Sequence, residues 1–389
     1  MRRSADVVIV GGGCMGASVA YHLARRGVTD VVLVEREKLL ATGSTGRNAG
    51  GVRHQFSNPA NIRLSIESIA LLERFADEVG QTIDFHQDGY LFLLSTAENV
   101  ATFRRNVALQ RELGVDVQWL DPTDVERVAP GVDTEGVIGA TFCARDGIAD
   151  PNGVTVGFAR AAQAAGVTIE RETELTGIRL AGRRVSGVET TRGSIDTPVV
   201  VNAAGPYARQ MGRLVGIDLP IEPLRRHIFI AALGGRANGT GAPVPPSHVM
   251  VIDFESTFYF HREGAGVLFG MGGAHEAPTF DTTVQWDFLP EVVEIAARRL
   301  PALAAASISH AWAGLYEMSP DGNPLIGPAP GVDGFFLVNG FSGHGFQHSP
   351  AAGRILADLI VGRDPGIDLQ SFAPQRFAAP ASAGEQYVV

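Results

Sequence analysis

DVVIVGGGCMGASVAYHLARRGVTDVVLVE, residues 6–35, carries two short β-branched runs, Asp6 to Val10 and Val31 to Val34, with a helical pattern from Met15 to Arg26 between them. Gly27 closes that helix, since glycine accepts the left-handed turn after a helix end at little cost. Both runs are apolar throughout rather than alternating, as expected of parallel strands buried on both faces. The joining turn has glycines at Gly11, Gly13 and Gly16, with Cys14 and Met15 between the last two. The first glycine permits a tight exit from the strand, the second lets backbone approach a pyrophosphate, and the third lets helix and strand pack closely. Helix N-terminal amides then face the phosphates. Glu35 ends the second strand, where a carboxylate can accept from both hydroxyls of an adenosine ribose and would repel a 2′-phosphate. The unit predicts a dinucleotide site without saying which dinucleotide.

Working outward, 389 residues with 45% hydrophobic and 19% charged composition suit a soluble globular chain of two domains. A net charge of -10 leaves no basic surface to neutralise nucleic-acid phosphates or anionic lipid, so neither is an expected partner. Cys14 and Cys143 are the two cysteines and form no C-x-x-C pair or secreted disulfide framework, which fits a reducing cytoplasm. The basic start at Arg2 and Arg3 resembles a secretory leader, but the glycine loop cuts the apolar run after five residues. No apolar stretch reaches membrane-spanning length. Lys38 is the single lysine; arginine carries the remaining positive charge.

A glycine-, serine- and arginine-bearing loop, TGSTGRNAGGVRHQF at residues 42–56, follows the first unit and leads into a helix near Pro59 to Val79. Strand-like alternation appears at residues 89–94. Asp150-Pro151 opens a helix running to about Ala165, with an acceptor at the cap and proline in the first turn. The runs GVTIE, VSGVETT and PVVVNAAG then return to the nucleotide-binding layer. FYFHREGAGVLFGMGG, residues 258–273, predicts a hairpin in a sheet-rich substrate domain, and the chain closes as strand, glycine-rich loop and helix. The last dozen residues are small and polar enough to predict a loose tail. No His/Cys/Asp/Glu cluster has metal-ligand spacing and no nucleophile elbow occurs, so no metal is expected.

The loop at residues 42–56 and the late segment NGFSGHGFQHSP, residues 339–350, choose between dinucleotides, because a nicotinamide enzyme needs no second glycine loop. Together with the first loop, with VVVNAAGPYA at residues 199–208 and with WAGLYEMSPDGNPLIG at residues 312–327, they resemble the D-amino-acid oxidase superfamily of flavoproteins. The likeness spans nearly the whole chain and is nearest to the glycine oxidase, sarcosine oxidase and proline dehydrogenase β-subunit groups. It implies an α/β fold: a Rossmann-like FAD-binding domain, discontinuous at residues 1–85, 145–220 and 312–389, and a sheet-rich α+β substrate domain at residues 86–144 and 221–311. It also implies cofactor contacts from Gly11, Gly13, Cys14, Met15, Gly16, Glu35, Arg36, Gly43, Ser44, Arg47, Asn48, Ala49, Gly205 and the backbone of Leu175. Gly343, His344, Gly345, Phe346 and Gln347 should pass the flavin ring, with the following helix N-terminus supporting negative charge on the reduced ring. Some sarcosine oxidases tether FAD through a cysteine just before the tyrosine of the penultimate motif; here that place reads Gly314-Leu315-Tyr316, so the expected FAD is non-covalent.

Relatives of this kind take small amines bearing a carboxylate. The resemblance implies Arg53 as the carboxylate-binding fork. Tyr316 stands where glycine oxidase has its carboxylate-binding arginine, and Gln347 where monomeric sarcosine oxidase has a lysine. The expected substrate is a small amino acid or an N-substituted glycine; both departures weaken simple transfer of glycine or sarcosine themselves and admit a larger or differently oriented N-substituted amino acid. Tyr259 and His261 share one face of the predicted hairpin strand and should line the pocket. His344 is placed beside the flavin, His348 as a cap of the final helix, His54 is given no task, and Arg225 and Arg226 are left between the pocket and the domain junction.

The implied reaction removes two electrons from a carbon–nitrogen bond by hydride transfer to flavin N5, leaving an imine that water hydrolyses. Reoxidation by O2 with H2O2 release is favoured narrowly, because the lysine that assists oxygen in sarcosine oxidases maps near Leu268. The alternatives are a dehydrogenase subunit passing electrons to a partner or quinone, and a flavin-binding assembly subunit without turnover. Either a homo-oligomer or a partner subunit is compatible with the sequence.

Overall fold

A computed structural model describes residues 2–233, 245–273, 276–378 and 384–388. Val7–Val10 and Val31–Val34 are adjacent parallel strands, joined by the helix Cys14–Arg25, as the β-α-β reading predicts. They lie inside a six-stranded sheet ordered Leu325–Pro328, Phe335–Asn339, Val200–Asn202, Val7–Val10, Val31–Val34, Thr168–Glu170. All neighbours in it are parallel except the first pair. Alternate side chains serve two cores. Val7, Ile9, Val31 and Leu33 pack beneath the helices Cys14–Arg25, Pro151–Ala164 and Gly345–Ile360, whereas Val8, Val10, Val32 and Val34 pack on the other face. A small antiparallel sheet of Leu175–Ala181, Arg184–Thr190 and Gly193–Asp196 lends Val185, Val188 and Ile195 to that second core.

The second layer is an eight-stranded sheet: Ser307–Met318, Glu222–Ala232, Gly266–Met271, Phe258–Glu263, Met250–Asp253, Tyr90–Leu94, Gly139–Cys143, Gln118–Leu120. Tyr90–Leu94 is buried on both sides: Leu91 and Leu93 join the core under the helix Leu289–Arg299, while Tyr90, Phe92 and Leu94 join the opposite one. That opposite face, with Ile228, Met250, Ile252 and Tyr259, is the one turned to the site. The buried pair Arg299–Asp253, 2.5 Å apart, ties the helix to the sheet.

Three expectations need correction. The boundary expected at Trp312 falls inside the strand Ser307–Met318, which pairs with Glu222–Ala232 through Met318, so the chain leaves the eight-stranded sheet later than the motif suggests. The helix near residues 59–79 is two helices, Pro59–Glu73 and Phe75–Val79, broken at Arg74. The described end of the tail is not loose. Tyr387 is 1% exposed and stacks on Phe103 at 4.2 Å and 13°, and its hydroxyl meets Asn106 Nδ2 at 3.0 Å. Glu385 accepts from Ser57 N, Ser57 Oγ and the amides of Asn58 and Asn61. One aromatic and one carboxylate suffice to dock a segment whose average composition is small and polar.

Candidate active site

The glycine loop takes the geometry its spacing requires. Gly11 has φ +114°, and a Cβ there would meet Ala203 O at 2.3 Å; a Cβ on Gly16 would meet Gly11 O at 1.9 Å. Gly16 is therefore a packing glycine between helix and strand and does not line the cavity, contrary to the contact expected of it. Glu35 accepts from Gly12 N at 2.7 Å through Oε2 and from Glu37 N at 2.8 Å through Oε1. Each oxygen keeps a lone pair for a ribose hydroxyl. Arg36 lies 4.0 Å over the Tyr207 ring, which in turn stacks on Phe280 at 4.8 Å.

From this end a cavity of about 610 Å³ runs past the loop at residues 42–56 to the N-terminus of the helix Gly345–Ile360. Every residue singled out in the sequence as a site residue lines it except Gly16 and His261. Ser44 Oγ donates to Leu315 O at 2.6 Å and Arg47 Nη1 to Ala313 O at 2.8 Å, so their polar heads stitch the loop onto the strand Ser307–Met318. That division of labour was not legible from the loop alone.

Three tyrosines close the far end, each against a glycine. A Cβ on Gly51 would lie 3.1 Å from the Tyr90 hydroxyl, one on Gly270 2.4 Å from that of Tyr259, and one on Gly343 2.5 Å from the Tyr316 ring. Burial raises the pKa of all three phenols, so they are neutral hydrogen-bond donors at ordinary pH. Tyr90 was not foreseen; its one sequence signal is its place opening a buried strand.

Arg53 is 2% exposed and among the described residues bonds only neutral groups: Nη1 donates to Gln55 O, and Nη2 meets Tyr387 O and His344 Nε2, the latter at 3.0 Å. Its backbone amide donates to Gln347 Oε1 at 2.6 Å. Among the described residues no carboxylate lies within ion-pair distance of it. His344 is held neutral, its pKa driven well below the usual range by burial and by the neighbouring guanidinium. Arg53, Gln347 and His344, read from distant motifs, thus form one cluster.

His54 braces this cluster. Its Nδ1 is 2.6 Å from Asp146 Oδ1, which also accepts from His54 N, while Asp146 Oδ2 accepts from Gln55 Nε2. Cys143 lies beside them, and the three potential ligand atoms fall within 4.8 Å of one another, a grouping that sequence spacing did not reveal. The 2.6 Å nitrogen–oxygen contact is a hydrogen bond, and burial keeps the Cys143 thiol protonated. The group thus serves to fix residues 53–55.

Two histidines differ from expectation. His261 does share a sheet face with Tyr259, but its ring is tucked against carbonyls, Nδ1 at 2.6 Å from Arg262 O and Nε2 at 3.1 Å from Ala49 O, outside the cavity. Burial lowers its pKa to about 4. His348 is no cap: it is 1% exposed inside the helix Gly345–Ile360, with Nε2 at 2.8 Å from Ser65 Oγ. Arg225 and Arg226 separate as alternation on a strand requires. Arg225 pairs with Glu276 at 2.7 Å and Asp281 at 2.8 Å, whereas Arg226 enters the cavity with its carbon Cζ 5.2 Å from the centre of the Tyr316 ring. Glu317, inside a quoted motif but assigned nothing, also lines the cavity; burial raises its pKa to about 7, and its Oε2 has no hydrogen-bond partner among the described residues.

These residues fit FAD: a turn with no room for a Cβ at Gly11, a two-oxygen acceptor at Glu35, a continuous cavity beyond, and neutral donors at its far end. No helix among the described residues is long and apolar enough to cross a membrane. Over its full length the chain is similar to known proteins. It is 34% identical to FAD-dependent oxidoreductase domain-containing protein 1 of Xenopus laevis, across 99% of this chain and 85% of that one. It is 30% identical to the mitochondrial dimethylglycine dehydrogenase of Rattus norvegicus, across 96% of this chain but spanning only 45% of that protein. The L-proline dehydrogenase of P. horikoshii superposes with a TM-score of 0.88 at 34% identity, covering 97% of this chain and 99% of that one. The family sequence model described as "DAO: FAD dependent oxidoreductase" matches residues 6–359, and the chain belongs to that family.

Proposed function

We propose that this chain oxidises the carbon–nitrogen bond of an N-substituted amino acid, with Arg53 holding the substrate carboxylate. The observation that carries this reading is Arg53, a buried residue lining the cofactor cavity whose guanidinium has no acidic partner among the described residues. A buried cation is costly unless an anion completes it. FAD, when bound, supplies the two-electron acceptor. The chain's own residues orient and select. Arg53 fixes the carboxylate end, and Tyr90, Tyr259 and Tyr316 offer neutral hydroxyls that neither compete as anions nor demand a charged amine. Neutral His344 contacts that guanidinium through Nε2, and the Gln347 carboxamide oxygen accepts from the Arg53 backbone amide, so the two fix the side chain and the main chain of Arg53. Among the described residues no side chain at this end is a strong base, so the substrate amine must arrive unprotonated, and the protein's contribution is positioning.

The division into a cofactor domain and a substrate domain is part of this proposal: the six-stranded sheet supplies the glycine loop, and the eight-stranded sheet supplies Tyr90, Tyr259 and Tyr316. Acceptance of electrons by O2 is the oxidase form of the reading. The dehydrogenase form is favoured by a specific observation, that two of the similar proteins above carry dehydrogenase names. Leu268, where an oxygen-assisting lysine would map, is buried in the sheet core and does not line the cavity.

The test is anaerobic reduction of the yellow protein by N-alkyl glycines and proline, followed by admission of air. Bleaching by such amines supports the function. Prompt return of colour with peroxide marks the oxidase, and persistent bleaching the dehydrogenase. A protein bleached by no amino acid, or an Arg53→Met variant with unchanged saturation by substrate, refutes the assignment.

A further inference from the structure

The substrate end of the cavity contains a second cation that the reaction above does not use. Arg226 sits on the strand Glu222–Ala232, next to Arg225 but on the opposite face. Arg225 takes the acids: Glu276 at 2.7 Å and Asp281 at 2.8 Å. Among the described residues Arg226 is left with a 3.6 Å approach to the same Glu276, one bond from Nη1 to the Arg225 carbonyl, and a buried Nε without a hydrogen-bond partner. Two arginines thus share the acids beside one strand, and the one facing the cavity has the weaker share.

Arg226 and Arg53 both act on Tyr316. Each guanidinium lowers the charge cost at that hydroxyl, and Arg226 also acts on Tyr259 while Arg53 acts on Tyr90. Both arginines and the three tyrosines line the same cavity, the Arg226 Cζ lying 5.2 Å from the centre of the Tyr316 ring, with the apolar side chains of Ile228, Met250 and Ile252 alongside. A monocarboxylate amino acid satisfies one of them. The other would stay desolvated once the cavity fills, which is unfavourable for a guanidinium whose donors are not all met.

We propose that the substrate is an amine carrying two carboxylates, an amino acid whose N-substituent or side chain ends in a second carboxylate, bound by Arg53 at one end and Arg226 at the other. This rests on the functional reading above and deepens it. It names Arg226 as the residue that sets specificity between mono- and dicarboxylates, and Glu276 as its tether, positioned by Arg225.

Two ethers that cannot be oxidised at a carbon–nitrogen bond serve as probes: methoxyacetate, with one carboxylate, and oxydiacetate, with two. Each is titrated into the flavin-loaded protein and followed by the perturbation of flavin absorption, a binding readout independent of turnover. Oxydiacetate is expected to bind at least about tenfold more tightly than methoxyacetate, the least that one charge-assisted contact provides. Arg226→Met should bring that preference close to one, and Arg226→Lys should keep part of it. Arg53→Met should weaken both ligands together. Equal binding of the two ethers by the unaltered protein overturns the proposal while leaving the proposed function intact, provided Arg53→Met still weakens them. The proposal also falls if Arg226→Met weakens both ethers equally, or if it lowers flavin affinity without changing the preference, for then Arg226 serves the cofactor. If neither ether binds and no amino acid bleaches the flavin, the functional reading itself has failed. If Arg226→Met does not fold, Arg226→Lys carries the test through the ratio alone.

Discussion

Glu317→Gln should flatten the pH dependence of stability of the flavin-free protein. Glu317 lies near the end of the strand Ser307–Met318, its carboxyl facing the amides of Gly340 and Phe341, with Oε2 buried and without a hydrogen-bond partner among the described residues. Burial raises its pKa from 4.5 to about 7. An acid whose pKa is higher in the folded state binds more protons there than in the unfolded chain across that window. Its stabilising contribution is therefore complete below the unfolded value and is lost as pH rises through the folded one. At about 1.4 kcal/mol per pH unit, the loss amounts to about 3 kcal/mol. Because part of the side chain still faces the open cavity, this is an upper figure. Glutamine has the same shape, can accept from the same two amides, and cannot ionise. The assay is urea unfolding of the flavin-free protein and the variant at about pH 5 and about pH 8. The two proteins should be nearly equal at the lower pH, and the variant more stable by about 2–3 kcal/mol at the higher. A difference that does not change with pH refutes the reasoning, whatever its size, because only an ionisation confined to one protein can produce the slope. Cofactor binding adds a second expectation: an anion brought near Glu317 should favour its protonated form, so flavin binding in the unaltered protein should take up protons near neutral pH and in the variant should not.

Gly343→Ala should retain flavin but lose substrate-dependent bleaching by an order of magnitude or more, since the new methyl would lie 2.5 Å from the Tyr316 ring at a residue with φ +92°; retained turnover would show that the tyrosine can move freely. Tyr387→Ala should lower unfolding stability by about 3 kcal/mol or more and weaken carboxylate binding as well, because Tyr387 combines the Phe103 stack with a carbonyl on Arg53; a purely thermal effect would separate the tail from the site. Arg299→Met should cost about 3–5 kcal/mol by stranding the buried Asp253, with flavin binding per folded molecule unchanged, as measured by urea unfolding beside flavin titration.

What could be read from the sequence follows from how local each physical constraint is. The glycine loop was legible because its geometry is fixed within a few residues: Gly11 must turn, Gly16 must pack, and Glu35 must sit at the strand end three positions after Val32. The flavin-side helix was legible for the same reason. His261 was misplaced although its alternation with Tyr259 was read correctly, because period-two patterning assigns a face and not a destination, and the carbonyls of Ala49 and Arg262 captured the ring first. Tyr387 was missed because docking the tail depends on a gap between Phe103, Phe92 and Phe254, three rings brought together from two distant segments. The paired arginines were noticed but not resolved for a related reason. Alternation sends Arg225 and Arg226 to opposite faces, yet which face holds acids depends on Glu276 and Asp281, about fifty residues away in sequence and outside any motif. If Arg226 sets the substrate as proposed, two chains can share every glycine of the cofactor cradle and still differ in what they oxidise through the allocation of a single carboxylate between neighbouring arginines.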